Sequence, residues 1–170
     1  MPVHGYDGSE FLIPFGSMRS LELKIPPLLL CLVFASLIAA LVQLWPQASL
    51  PFPGSGLLAL ISLVSGLVVM FGGAIAFRRH QTTLDPRDPA KTSRIVTGGP
   101  FRFTRNPMYL GMALMLGGEA AWYASPPGAL LAAIFCLYIT ELQIKPEERM
   151  LLERFGQEYA DFMARVRRWL

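Results

Sequence analysis

The chain predicts an all-α, polytopic membrane protein of about four transmembrane helices with a helical C-terminal tail. Three observations carry that prediction. Of its 170 residues, 53% are hydrophobic and only 16% charged, where a soluble domain carries about 25% charged residues. The apolar residues come in long blocks rather than on periodic faces, as spanning helices require. The basic residues gather between and after those blocks, so the net charge of +3 reads as a topology signal and not as a nucleic-acid surface.

Residues 1–17 contain Gly and Pro, are weakly patterned and lack a basic stretch, so they are expected to form a loose N-terminal tail and no signal peptide. Met18-Arg19-Ser20, followed by Lys24, opens the membrane domain, residues 18–170. Residues 25–45 form the first span, close to the 20 or so apolar residues that cross roughly 30 Å of hydrocarbon, and Trp45 suits the interface at its far end. An uncharged connector leads to the second span, 57–77, in which Gly66, Gly72 and Gly73 allow a neighbour or ligand close to the backbone. Arg78-Arg79-His80 stops that helix, and His80 reads as an interfacial side chain.

The loop 78–107 carries Arg87, Lys91, Arg94, Arg102 and Arg105 against Asp85 and Asp88, which makes it cytoplasmic by the positive-inside rule. Its length points to function. Residues 108–123 and 129–144 form a hairpin of two more spans, each short for a full crossing, turned at Ala124-Ser125-Pro126-Pro127-Gly128. The tail 145–170 is charged, with Met150, Leu151, Phe155, Tyr159, Phe162 and Val166 near helical spacing and a break at Gly156. Its arginines place it in the cytoplasm, so four spans leave both termini on that side. Cys31 and Cys136 sit inside apolar blocks as buried thiols, and with His4 and His80 alone beside them a metal site has little to be built from.

Antiparallel helices return their ends to one side, so the hairpin brings two polar segments together. One is residues 98–111, GGPFRFTRNPMYLG, offering Arg105, Asn106 and backbone N–H groups near Gly98 and Gly99. The other offers Glu147 and Glu148. Arginine suits a carboxylate through its bidentate fork, a glutamate accepts from hydroxyl or ammonium groups, and Phe101, Phe103 and Tyr109 supply flat apolar surface for a purine. Structural readings stand beside these: Pro107 suits the first turn of a helix, and acids after Pro146 suit a helix N-terminus. Glu119 and Glu141 lie at membrane depth, where a carboxylate is costly and marks function by default. Both are also near span ends, within reach of snorkelling.

Over residues 71–170 the chain resembles the integral-membrane methyltransferases that include isoprenylcysteine carboxyl methyltransferase and phosphatidylethanolamine N-methyltransferase. The resemblance rests on motifs in a fixed order: Gly99-Pro100-Phe101-Arg102-Phe103 leading to Arg105, Pro107, Tyr109 and Gly111; then Glu147-Glu148-Arg149; then Phe155-Gly156 with Tyr159; then Val166-Arg167-Arg168. It implies S-adenosylmethionine enclosed by loop and tail above the hairpin, with contacts at Arg94, Ile95, Val96, Thr97 and Gly99, at Arg105, Asn106, Pro107, Met108 and Tyr109, and at Glu147 and Glu148. Many relatives have His where this chain has Asn106, and the Asn-Pro-Met-Tyr run is similar to phospholipid methyltransferases. In the prenylcysteine branch an arginine about a turn before the paired acids holds the substrate carboxylate; Gln143 stands in that region here, which argues against a prenylcysteine. A cationic acceptor would find Glu119 or Glu141, and Gln143 is the third candidate substrate residue. Methyl transfer is then an in-line displacement at the cytoplasmic face to a small or amphiphilic acceptor reached from the bilayer.

Two other readings stand against this. One is an NADPH-dependent membrane reductase related to sterol reductases, whose similar Arg-His-Pro-x-Tyr segment is followed by an acid where this chain has Leu110, Gly111 and Met112. The other is a non-catalytic membrane adaptor, which leaves the basic aromatic loop and the paired acids without a role.

Overall fold

The computed structural model describes residues 22–79 and 95–170. The expected tail 1–17 lies outside the described residues, as do His80, Asp85, Arg87, Asp88, Lys91 and Arg94. Among the described residues the chain is all helical: α1 Pro27–Leu44, α2 Ser55–Arg79, α3 Pro107–Trp122, α4 Pro126–Ile139, α5 Lys145–Phe155 and α6 Gln157–Arg165. Short 3₁₀ turns occupy Pro46–Ala48 and Gly99–Arg102.

Among the described residues, three helices are long and apolar enough to cross a bilayer: Pro27–Leu44, Ser55–Arg79 and Pro126–Phe155. The chain is an integral membrane protein. Leu28, Leu29, Leu32 and Leu37 on α1, and Leu57, Leu60, Ile61, Val64 and Val68 on α2, are exposed; hydrophobic side chains on an outer face suit contact with lipid. The expected third span, residues 108–123, is the 16-residue α3, about 24 Å long at 1.5 Å per residue, and falls short of a full crossing by length alone.

What fixes α3 is its seam with α2. A Cβ built on Gly111 would lie 2.6 Å from the Gly66 carbonyl oxygen and from Met70 Cβ, and one on Gly66 would lie 2.8 Å from the Gly111 carbonyl. Gly118 faces the Ala59 carbonyl in the same way, while Gly73 makes room for the ring of Pro107. Two helices therefore meet backbone to backbone along their length, as small residues permit where no hydrophobic driving force exists. Behind α3, α1 and α4 build the main core from Leu30, Phe34, Ile38, Met112, Leu116, Phe135 and Ile139, with Phe34 set edge-on to Phe135 at 5.6 Å.

The hairpin turn is tighter than the sequence suggested. Ser125 caps α4 by accepting a hydrogen bond from the Gly128 N–H, and Pro126 and Pro127 enter the first turn of the helix, where the missing N–H groups cost nothing. Ala124 carries the reversal with φ +46°, and its carbonyl accepts from Leu50 N–H in the α1–α2 connector.

The larger correction concerns Lys145-Pro146, which the sequence suggested would end the fourth span. Instead α4 passes through a π-helical turn, Thr140–Ile144, into α5 as one continuous helix, Pro126–Phe155. Proline frees the carbonyl four residues before it. Here that is Leu142 O, which accepts from Leu23 N–H at 3.2 Å, so the helix carries Pro146 without an orphaned acceptor. Glu147 and Glu148 consequently do not mark a free helix N-terminus. The expected break at Gly156 is present, with φ +52° between α5 and α6.

The glycine seam makes a paired prediction. Gly111→Ala should lower stability by about 1–3 kcal/mol through overpacking, read as a drop in thermal midpoint, whereas Gly117→Ala, which meets nothing within 4 Å, should not. Equal midpoints for the two variants would contradict the close approach of α2 and α3.

Candidate functional site

Three stretches converge beyond the hairpin: residues 104–109, residues 143–148 and residues 166–169. Pro107 opens α3, as its fixed φ favours, and the Asn106 N–H donates to Thr104 Oγ1 at 3.1 Å. Helical geometry then sets Tyr109, 5% exposed, on the face toward α5. Its hydroxyl donates to Glu147 Oε1 at 2.7 Å. Gln143 Nε2 donates to the same oxygen at 2.9 Å; the two residues are four apart and so share a helix face. No cation among the described residues pairs with Glu147, and its second oxygen has no protein donor among them.

Glu148, one residue on, has a different environment. Its Oε1 accepts from Arg105 Nη2 at 2.6 Å and Nε at 3.2 Å, and its Oε2 accepts from Arg168 Nη2 at 2.7 Å. The Arg105 and Glu148 side chains are each 7% exposed. A buried carboxylate needs such partners, because desolvation outweighs any single contact. Arg105 also donates through Nη1 to the carbonyls of Met163 and Val166. Backbone links complete the clamp. Arg105 N–H donates to Arg167 O at 3.0 Å, while Asn106 Nδ2 and Thr104 Oγ1 both donate to Arg168 O, at 3.0 and 3.2 Å. Trp169 Nε1 reaches Thr140 Oγ1, in the π turn, at 3.2 Å.

Adjacent acids thus do different work. Glu148 is neutralised and holds loop, α5 and the last residues together. Glu147 is oriented by neutral donors on one oxygen.

The other residues singled out in the sequence fall as follows. Arg105 and Asn106 are at the convergence, but their donors are spent on Glu148 and on main-chain carbonyls rather than left for a ligand carboxylate. Ile95 is half-buried, Val96 buried, Thr97 and Gly99 exposed, and Met108 half-buried; Arg94 lies outside the described residues. Phe101 is core, packed edge-on to Phe77 at 5.1 Å, and Phe103 is 73% exposed, so the expected aromatic platform is not assembled from them. Glu141 is exposed and paired with Lys145 at 2.6 Å, an ordinary i,i+4 bridge, and does not face the cluster. Glu119 is half-buried in α3, ten residues and so about 15 Å along the axis from Tyr109. Gln143 is buried and orients Glu147.

Sequence reading did not single out Thr104, Arg168 or Trp169 as site-building residues. One signal was present: a buried Glu148 requires countercharge, and the basic stretch at 165–168 was the supply.

Breaking one partner of a buried ion cluster costs about 3–5 kcal/mol, so Arg105→Ala should sharply lower the thermal midpoint in detergent or nanodiscs. Arg149→Ala removes an exposed pair with Glu22 and should cost under about 1 kcal/mol. Similar midpoints for the two variants would contradict the clamp.

Residues 55–158 match the phospholipid methyltransferase family model. An uncharacterized protein of Haemophilus influenzae is 40% identical over 63 residues, its full length and 37% of this chain. No solved structure matches the chain significantly.

Proposed function

The chain belongs to the phospholipid methyltransferase family, and we propose that it uses S-adenosylmethionine to methylate a small or amphiphilic acceptor reached from the bilayer. The observation that carries this reading is Glu147: a carboxylate held by Tyr109 and Gln143, without a cationic partner among the described residues, where the loop meets α5. Such a group suits a ligand bearing hydroxyl or ammonium donors, and an S-adenosyl compound has both. When bound, that cofactor supplies a methyl group on an already activated sulfonium; the C–S electron pair stays on sulfur as the acceptor's lone pair takes the methyl.

The protein's part is alignment and exclusion of water. Glu147 anchors the donor, and Tyr109 and Gln143 fix the carboxylate's orientation. Residues 95–97, Gly99, Met108 and the backbone around Asn106-Pro107 frame the ligand. Arg105 and Glu148 act as the clamp that closes loop against α5. Gln143, committed to Glu147, argues against an arginine-type hold on a prenylcysteine carboxylate. Glu119, about 15 Å along α3 from Tyr109, lies too far to hold the reacting group of an acceptor against a donor anchored there, and Glu141 contributes only its surface pair. The match to a methyltransferase family favours this reading over a nicotinamide reductase or an adaptor.

For topology we infer four crossings. The α2–α3 seam runs from Ala59/Gly118 to Gly73/Pro107, so α3 shares the depth of α2 despite its length. The described basic residues before α3 and after α5 then lie at the cytoplasmic face, as does the N-terminal end of α1.

Titration calorimetry with S-adenosylhomocysteine and with NADPH tests the reading: the first should bind and the second should not. Glu147→Gln should weaken S-adenosylhomocysteine binding about 10- to 100-fold, the range for a hydrogen bond to a charged group, with little loss of folded protein. Binding of NADPH alone, or unchanged affinity in the variant, would contradict it.

A further inference from the structure

Tyr159, on α6, is 4% exposed, and its two ends have different surroundings. The ring is fixed in a second small core with Val96, Phe101 and Phe162, tilted against Phe162 with centroids 6.0 Å apart. Its hydroxyl has no hydrogen-bond partner among the described residues. Buried hydroxyls are nearly always paired, because an unmet one costs the full desolvation of the group.

Nor does this hydroxyl sit in purely apolar surroundings. The charges of Glu148, Arg105, Glu147 and Arg168 all act on it. Burial first, and the Glu148 carboxylate next, push its ionisation upward, so it is a neutral O–H able to donate. Glu148 already accepts from both arginines and leaves Tyr159 unanswered. Val96, packed in the same small core as the ring, and Glu147, whose charge acts on the hydroxyl, belong to the two stretches read above as framing the methyl donor.

We propose that the Tyr159 hydroxyl is a further ligand-binding group of this site, donating a hydrogen bond to an acceptor atom of the bound S-adenosyl compound. The proposal rests on the methyl-donor reading. It adds a contact from α6, so that loop, α5 and α6 each contribute one wall. It also assigns the unpaired hydroxyl a partner that arrives with the ligand: the group costs stability in the free protein and recovers it on binding.

Tyr159→Phe removes the hydroxyl and keeps the ring, which separates the two roles. Wild type and Y159F are titrated calorimetrically with S-adenosylhomocysteine, and their thermal midpoints are measured with and without it. The expected result is affinity weakened about 2- to 12-fold, the range for one hydrogen bond, with a ligand-free midpoint equal to or above wild type. A residue serving the fold alone gives the reverse, a lowered midpoint with full affinity, and that result would overturn the proposal. Equal affinity and equal midpoints would overturn it too. Absence of binding by wild type would remove the methyl-donor reading and this inference together, whereas binding by wild type with no effect of the variant removes the inference alone.

Discussion

Burying the Glu148 carboxylate is the constraint on which the rest of the site depends. Its two arginines come from 43 residues earlier and 20 residues later in the chain, and neither lies on the same helix. Removing a charge from water is unfavourable unless paired with good geometry, so the loop before α3, the start of α5 and the last residues must come together for the carboxylate to be buried at all. Once they do, Tyr109 and Glu147 are within hydrogen-bond reach as a consequence of helix geometry. One acid sets the architecture, and its neighbour is held by the neutral donors Tyr109 and Gln143.

The membrane part supplies the frame for this convergence. Gly66, Gly111 and Gly118 let α2 and α3 touch at the backbone, and Gly73 seats the ring of Pro107, which fixes where α3 begins and hence where Asn106 and Tyr109 stand. The π turn at Thr140–Ile144 and the capture of Leu142 O by Leu23 carry the helix past Pro146, so Gln143 and Glu147 remain on one rigid element. Rigid placement matters more than acid–base power for a displacement at a sulfonium, where small misalignments are costly.

Much of this was legible in the sequence and some was not. Apolar blocks separated by basic loops gave the helices and the hairpin, because length and composition suffice for membrane spans. Arg105, Asn106, Tyr109, Glu147 and Glu148 were legible as a group, since the motif order ties the loop to the tail. Their division of labour was not: whether an arginine binds a ligand or a neighbouring carboxylate depends on who else is within 3 Å, which spacing does not encode. Pro146 misled for a related reason, its freed carbonyl being answered by Leu23, more than a hundred positions away. Phe101 read as a ligand platform and is core, because an aromatic in a polar loop carries no local sign of the apolar neighbours that bury it.

The central claim is that residues 104–109 and 143–148, separated by the hairpin, bind one methyl donor between them. Hydrogen–deuterium exchange of the protein in nanodiscs, with and without S-adenosylhomocysteine, measures this directly. Both segments should gain protection together on addition of the ligand, over the same concentration range. Protection of one segment without the other, or of neither while the ligand is demonstrably bound, would contradict the account.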